Sequence, residues 1–415
     1  MQQYLRPYVT AGIAIVGSGL IAATPVAAPP ADVPAFRDVA LAAGGTLPDA
    51  LAPWQDVFNA MSTNATQLAN NFFLAPAVGL QQFIANQAAF FQQIFDDPAN
   101  IPNVMNEMQT HLKAVNDAFT LLGADASTIT TTTLHTLNPG FDVVSNPDGS
   151  IGIEAGHAAL FQLLPNFLPA DQAATLTPII DFLASPASAM IIGALGPSIS
   201  PWVALANSLT DGDGIGQTLA NMFGAYFNGA TLNLDGLIPL IEQSGLLPLP
   251  AGTTLNSLSF AFGGMLSGGE VSNAPYQLFD SSGDSVVSIP AVGGSIFNSL
   301  GLNITASLAG TSLPLNVDPV AIGPWGAWEA WSQTVAGLLG GQAWAWDGKN
   351  GTPPPAEPPL SGFSIPTIPD SFFDGGAAGG AAAASSSAVE EFLSSVATAS
   401  DVPDWMASII TALGG

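Results

Sequence analysis

The stretch TITTTTLHTLNPGFDVVSNPDGSIGI, residues 128–153, is where the chain changes its hydrophobic period, and its reading decides the fold class. Before it, apolar residues recur at steps of three and four. From it onward, β-branched and aromatic residues gather in runs of strand length. Thr128 to Thr133 is β-branched throughout and predicts a strand. Phe141 to Val144 and Ile151 to Ile153 predict two more, and Asn146-Pro147-Asp148-Gly149 between them has the composition of a tight turn. A helical segment followed by one that mixes strands with helices is the pattern of an α+β protein with a mainly antiparallel sheet.

Upstream, residues 31–125 read as a helical bundle layer. Trp54, Phe58, Met61, Ala65, Leu68 and Phe72 alternate steps of four and three, as do Met105, Met108, Leu112, Val115, Phe119 and Leu122. Between them Leu80, Phe83, Ile84, Phe90, Phe91, Ile94 and Phe95 load another helix, stopped by Asp96, Asp97 and Pro98. The expected arrangement is a three-helix core whose stripes face one another; a stripe kept for a partner chain is the other reading.

Downstream, residues 126–346 form the mixed middle. Helical spacing returns from Ala158 to Tyr226, where Ile215, Leu219, Met222, Phe223 and Tyr226 share a face and Asp213 is the expected N-cap. Beyond Thr231 short strands dominate. Leu258, Phe260 and Phe262 alternate with Ser257, Ser259 and Ala261, and Tyr276 to Phe279 with Ser285 to Ile289 predict a hairpin about residues 280–284. The segment WGAWEAWSQTVAGLLGGQAWAW, residues 325–346, holds Trp325, Trp328, Trp331, Trp344 and Trp346. Such a stripe beside glycine-rich turns reads either as core packing or as a membrane-interface or partner segment, because indole pairs an apolar ring with an N–H that seeks water.

Residues 347–388 are a Pro/Gly/Ala/Ser-rich linker, and 389–415 regain apolar spacing as an amphipathic helical tail. At the other end Arg6 is followed by no charge until Asp32, and residues 9–23 are apolar and small. That is the pattern of a signal peptide, expected over 1–30, with an uncleaved anchor as the other reading. Its glycines and its length, short of the roughly 20 residues a bilayer needs, favour the signal. The chain is therefore expected to be exported.

Composition excludes several classes. The 415 residues carry 4 Lys and Arg against 31 Asp and Glu, a formal charge of −27; without Arg6 the remainder is −28. Arg6, Arg37, Lys113 and Lys349 are too few and too scattered for a phosphate-binding groove, so nucleic acid is excluded as a partner. Charged residues are 8% of the chain, where ordinary soluble domains carry about a quarter, so the surface is solvated mainly by amides and hydroxyls. The absence of cysteine removes disulfides, thiol catalysis and thiolate metal sites.

Nothing in the sequence predicts an enzyme or a cofactor. There is no Gly-x-Ser-x-Gly elbow, and Gly283-Asp284-Ser285-Val286 falls in an expected turn without a companion histidine block. His111, His135 and His157 are too far apart for a local metal motif. Asp211-Gly212-Asp213-Gly214 resembles the opening of a calcium loop, but Ile215 and Met222 stand where oxygen ligands belong, and a helix-initiating turn is the better reading of Asp211 and Asp213.

Several longer passages carry a resemblance. The leader LRPYVTAGIAIVGSGLIAATPVAAP, residues 5–29, is similar to one common among exported mycobacterial proteins. NNFFLAPAVGLQQFIANQAAFFQQI (70–94), LPADQAATLTPIIDFLASPASAMIIGALGPSISPWVALANSL (168–209), NGATLNLDGLIPLIE (228–242), PAVGGSIFNSLGL (290–302) and GPWGAWEAWSQTVAGLLG (323–340) together resemble the family named outer membrane porin GjpA, after a Gordonia protein. The resemblance covers nearly the whole chain up to the linker. It implies a pore through a mycolic-acid outer membrane, with outer-membrane lipid as partner, and it assigns no role to any single residue. A one-chain barrel requires at least eight strands of about 9–11 residues, more than these short, helix-interrupted strands supply. The pore implied is therefore a homo-oligomer, and its acidic excess would favour cations. The alternative is a non-channel envelope or secreted protein that binds lipid or a protein partner.

Overall fold

The computed structural model describes residues 52–138, 141–145, 151–168, 171–244, 253–271, 276–279, 285–308, 311–346, 354–361, 363–364 and 366–367. The expected signal segment, the helical tail, most of the linker and the turn at 146–149 lie outside the described residues. The fold is α+β. Three helices open it: α1 (Ala52–Leu74), α2 (Val78–Asp96) and α3 (Ile101–Thr120). The chain divides into two compact units, one containing 85–109 and the residues described beyond 362, the other containing 52–84 and 110–361.

In the smaller unit a 3-10 turn at Pro98–Asn100 interrupts the helices. Pro98 has no amide to satisfy there, and Asp97 accepts a hydrogen bond from the Ala99 amide at 2.9 Å. Gln92 holds Thr367 from both sides: the Thr367 amide donates to Oε1 at 2.9 Å, and Nε2 donates to the Thr367 carbonyl at 3.4 Å.

In the larger unit the threonine run is a helix, not the expected strand. It forms α4 (Ala126–Thr133), capped by Asp125, whose carboxylate accepts from the Thr128 amide at 2.8 Å. Each turn is then tied by threonine hydroxyls donating to carbonyls four residues back, Thr130 to Ala126 at 2.8 Å and Thr132 to Thr128 at 2.7 Å. Those bonds let a β-branched run satisfy its hydroxyls without leaving the helix, and Thr128 and Thr132 are buried.

The hairpin of β1 (Phe141–Ser145) and β2 (Ile151–Ala155) follows as expected, then α5 (His157–Leu163), α6 (Ala173–Leu183), α7 (Pro186–Asp211) and α8 (Ile215–Asn228). Next come β3 (Ala230–Asn233), α9 (Ile238–Ser244), β4 (Thr253–Phe262), β5 (Tyr276–Phe279), β6 (Ser285–Ile289), β7 (Leu300–Leu308), β8 (Thr311–Val317) and α10 (Pro324–Leu338). One sheet runs β1-β2-β8-β7-β4-β3, antiparallel throughout except for the β2–β8 pair; β5 and β6 form a separate hairpin. On one face Leu255, Leu258, Leu302 and Val317 make a core with Leu160 of α5 and with Ile238 and Ile241 of α9. An amide ladder also crosses the strands, in which Asn256 donates to Asn303 and Thr305.

Two expectations need correction here. The α1 stripe does not close a three-helix core: its main partner is α8, with Trp54 and Phe58 against Phe223 at ring separations of 5.6 and 6.3 Å. And the described stretch 354–361 of the expected linker is packed on the body, because Ala356 is buried in a cluster with Leu74, Val78, Ile289, Ala336 and Trp344.

Candidate functional site

Helix α7 shows how this unit is packed. Its 26 residues include Pro197 and Pro201, each of which removes an amide donor from the helix interior. Its buried face is mostly small, with Ala187, Ser188, Ala189, Gly193, Gly196, Ser200, Ala204 and Ser208, and it also buries Ile192, Val203, Pro186 and Pro197. Small side chains let backbones meet. A Cβ on Gly193 would lie 2.9 Å from the Gly323 carbonyl oxygen, and one on Gly196 would collide with the backbone of Gly263. Ser200 bridges the seam by donating to the carbonyls of Phe262 and Gly263, both at 3.0 Å.

Several other large apolar residues of α7 point the other way, although Ile192 and Val203 are buried. Trp202 is 66% exposed and Leu209 72%, with Ile191 and Leu195 also exposed. The same inversion recurs on α8, where Ala220, Gly224 and Ala225 are buried while Ile215 is 83% exposed and Leu219, Phe223 and Tyr226 are exposed as well. The shared face of Ile215, Leu219, Phe223 and Tyr226 read from the sequence is real, and it faces outward. The N-cap of α8 is Gly214, not the expected Asp213, whose carboxylate instead accepts from Asn221 at 3.0 Å. Gly212 ends α7 in the left-handed conformation at φ 76°, so Asp211 to Gly214 is the turn between two helices. Among the described residues no cluster of three or more Asp, Glu or His is placed to hold a metal ion.

Helix α10 places the tryptophans by the same rule. Gly326, Ala327, Ala330, Thr334, Ala336 and Gly337 are its inner face. Trp325 is 54% exposed, Trp328 is exposed beside Phe72 at 6.2 Å, and Trp331 is half-buried, edge-on to Phe119 at 5.3 Å. Trp344 lies beyond the helix and is buried against Tyr276 at 4.8 Å; Trp346 is half-buried. The five tryptophans are thus not one surface. Trp325 and Trp328 belong to the outside, and Trp344 belongs to the core.

Beneath the α10 tryptophans lies a buried polar chain that the sequence did not reveal. Trp344 carbonyl contacts His135 Nε2 at 2.6 Å, Tyr276 hydroxyl donates to Gln333 Oε1 at 3.0 Å, and Gln333 Nε2 donates to Asn71 Oδ1 at 3.4 Å. Asn71 in turn donates to the carbonyl of Pro290. Burial depresses the His135 pKa to about 4, and that desolvation outweighs the carbonyl contact, so the ring is neutral. Burial also pushes Glu329, one turn before Gln333, up to about 8; one of its oxygens has no partner among the described residues. His157 is fully buried, its pKa lowered by desolvation, with Nε2 at 2.7 Å from the Leu300 carbonyl. These groups come from separate segments: His135, His157 and Asn71 contact backbone carbonyls and Tyr276 and Gln333 bond side-chain amides, while Glu329 Oε2 and His157 Nδ1 have no partner among the described residues. Of the Gly283-Asp284-Ser285-Val286 segment, residues 283 and 284 lie outside the described residues, and Ser285 opens β6.

The α7 helix has mean hydropathy 1.5 over an 18-residue window, of which 44% is buried, so it is long and apolar enough to cross a membrane while also serving as a packing helix. Taken together, these features define an α+β protein with apolar cores on its sheet and beneath α10, small residues at several helix seams, and a further set of large apolar residues exposed on α1, α7, α8 and α10. Comparison of the chain with protein-family models, curated proteins and solved structures finds no match.

Proposed function

We propose that this chain is a porin-like protein of an outer, lipid-rich cell envelope, and that the outward apolar faces of α1, α7, α8 and α10 lie against lipid. The observation that carries the reading is the pairing of small-residue helix seams with large apolar side chains left exposed on the same helices. Water rewards burial of large apolar side chains at about 25 cal/mol per Å², so a water-soluble helix turns them inward. Helices in hydrocarbon have no such drive and associate through small residues that let backbones approach. Gly193 and Gly196 on α7, Gly224 on α8 and Gly326 on α10 sit at such seams, while Trp202, Leu209, Ile215 and Trp325 face out. Where such side chains adjoin, as the exposed Phe58 and Phe223 do at 6.3 Å, the apolar surface marks an interaction face.

A channel, on this reading, is built from several copies. Within the described residues the sheet is open, with β1 and β3 at its edges, so one chain supplies a hairpin or a helix to a shared pore. The 31 carboxylates against 4 cations give such a pore a cation preference. The same open sheet favours the second reading, a non-channel envelope protein that binds lipid. Full-length protein added to planar lipid bilayers separates the two. Discrete, cation-selective conductance steps together with flotation on vesicles support the oligomeric pore. Flotation without conductance leaves the lipid-binding protein, and recovery as a soluble monomer that does not float overturns both.

A further inference from the structure

A cleft of about 530 Å³ opens in the larger unit between α1, α7 and α8, with β3 at its end. Its small lining residues are the buried Ala204, Gly224 and Ala225 and the exposed Ala60, and the rest of the lining is largely polar. Three asparagines are already committed to the protein. Asn221 donates to Ser208 and to Asp213, Asn228 donates to the Val57 carbonyl, and Asn207 donates to the Thr231 carbonyl. What these bonds leave over is mostly acceptors, together with the hydroxyl hydrogens of Ser208 and Thr231. Asn207 keeps its Oδ1, Gln217 gives its N–H to Asn221 and keeps its Oε1, and the carboxylates of Asp56 and Asp211 have no partner among the described residues. No Lys, Arg or His lines the cleft. Its occupant must bring several donors, must not be an anion, and must fit beside the small apolar residues.

The helix that forms one side of this cleft also forms the apolar ridge. Gln217, Asn221, Gly224 and Asn228 of α8 line the cleft, while Ile215, Leu219, Phe223 and Tyr226 of the same helix are exposed. Phe58 of α1 is exposed beside Phe223 at 6.3 Å, while Asp56 and Ala60, two residues to either side, line the cleft. A donor-rich polar pocket next to an exposed apolar ridge matches an amphiphile whose head is hydroxylated and whose tail is hydrocarbon. We propose that this cleft is the headgroup site for a lipid with a neutral sugar headgroup. Its hydroxyls donate to Asn207, Gln217, Asp56 and Asp211, and its acyl chains run over Phe58, Leu219 and Phe223. The assignment rests on the lipid-contact reading and adds the headgroup class to it.

The test uses the full chain and three kinds of vesicle with the same acyl chains: phosphatidylcholine alone, phosphatidylcholine with phosphatidylglycerol, and phosphatidylcholine with digalactosyl diacylglycerol. The expected result is about tenfold tighter binding to the galactolipid vesicles than to phosphatidylcholine, weaker binding to the anionic ones, and competition by free digalactosylglycerol. Ala60 is exposed, so Ala60→Phe fills the cleft without touching the core; it should abolish the galactolipid preference and leave binding to phosphatidylcholine unchanged. Phe58→Ser should weaken binding to all three. Equal binding to the three vesicles, or a preference that survives Ala60→Phe, overturns the headgroup site while lipid contact stands. Binding to none of them removes the lipid-contact reading, and free digalactosylglycerol is then titrated against the protein alone: saturable binding lost in Ala60→Phe keeps a sugar site, and no binding overturns it.

Discussion

Glu329→Gln isolates one buried charge and makes its cost measurable. Glu329 is only 7% exposed, and burial raises its pKa from 4.5 to about 8. The native state therefore holds this proton between pH 4.5 and 8, where the unfolded chain has released it. Stability from the group is full below pH 4.5 and is lost as pH rises through about 8. A rise from 4.5 to about 8, at about 1.4 kcal/mol for each tenfold change in proton affinity, sets an upper figure of about 5 kcal/mol, and about 3–5 kcal/mol is the expected range. Glutamine is isosteric with the protonated acid and never ionises. The variant should match the parent at pH 5 to within about 1 kcal/mol and exceed it by about 3–5 kcal/mol at pH 9.

His135 acts with opposite sign in both proteins. Its pKa falls from 6.5 to about 4, so its contribution is gained as pH rises through that window, and it cancels in the difference between parent and variant. Seven of the eight tryptophans, Trp54, Trp202, Trp325, Trp328, Trp331, Trp344 and Trp346, lie in the larger unit. Urea unfolding followed by tryptophan fluorescence from pH 5 to 9 therefore reports the unit that contains Glu329. A difference that stays flat across that range would refute the reasoning, because it would mean Glu329 ionises freely where it sits.

Other substitutions test the packing. Gly263→Ala puts a methyl group into the carbonyl of Ile322, a backbone clash that no side chain can relieve, and should cost at least about 1–3 kcal/mol in chemical denaturation. Gly216→Ala in the first turn of α8 meets nothing within 4 Å and should be neutral or stabilising by up to about 1 kcal/mol. Trp344→Ala should cost about 3–5 kcal/mol in the same experiment, whereas Trp325→Ser should cost under about 1 kcal/mol and instead lower binding to vesicles.

Much of the architecture was legible where spacing and turn chemistry agree. The hairpins at 141–155 and 276–289, the helices from α5 to α8 and the shared face of Ile215, Leu219, Phe223 and Tyr226 all follow from period and punctuation. Thr128 to Thr133 misled because β-branching argues for a strand only until the hydroxyls find carbonyls within their own helix. Periodicity shows that a helix has an apolar stripe, but not which way the stripe turns. The stripe through Phe58 was expected to face α2 and α3 and packs on α8 instead, the tryptophan stripe was open between core and interface, and several seams are glycine and alanine, residues that carry little weight in a hydrophobic pattern. The buried chain through Asn71, Gln333, Tyr276 and His135 joins residues more than 200 positions apart and has no local signature.

The central claim is that the outward apolar faces touch lipid, and single-cysteine labelling tests it most directly because the chain has no cysteine of its own. An environment-sensitive fluorophore on Trp202→Cys or Ile215→Cys reports the exposed faces of α7 and α8; one on Thr254→Cys reports an exposed position on β4. With vesicles whose acyl chains carry bromine, the labels at 202 and 215 should shift to the blue and be quenched, while the label at 254 stays in water. Labels at 202 and 215 that remain in water, or a label at 254 quenched equally, would contradict the account.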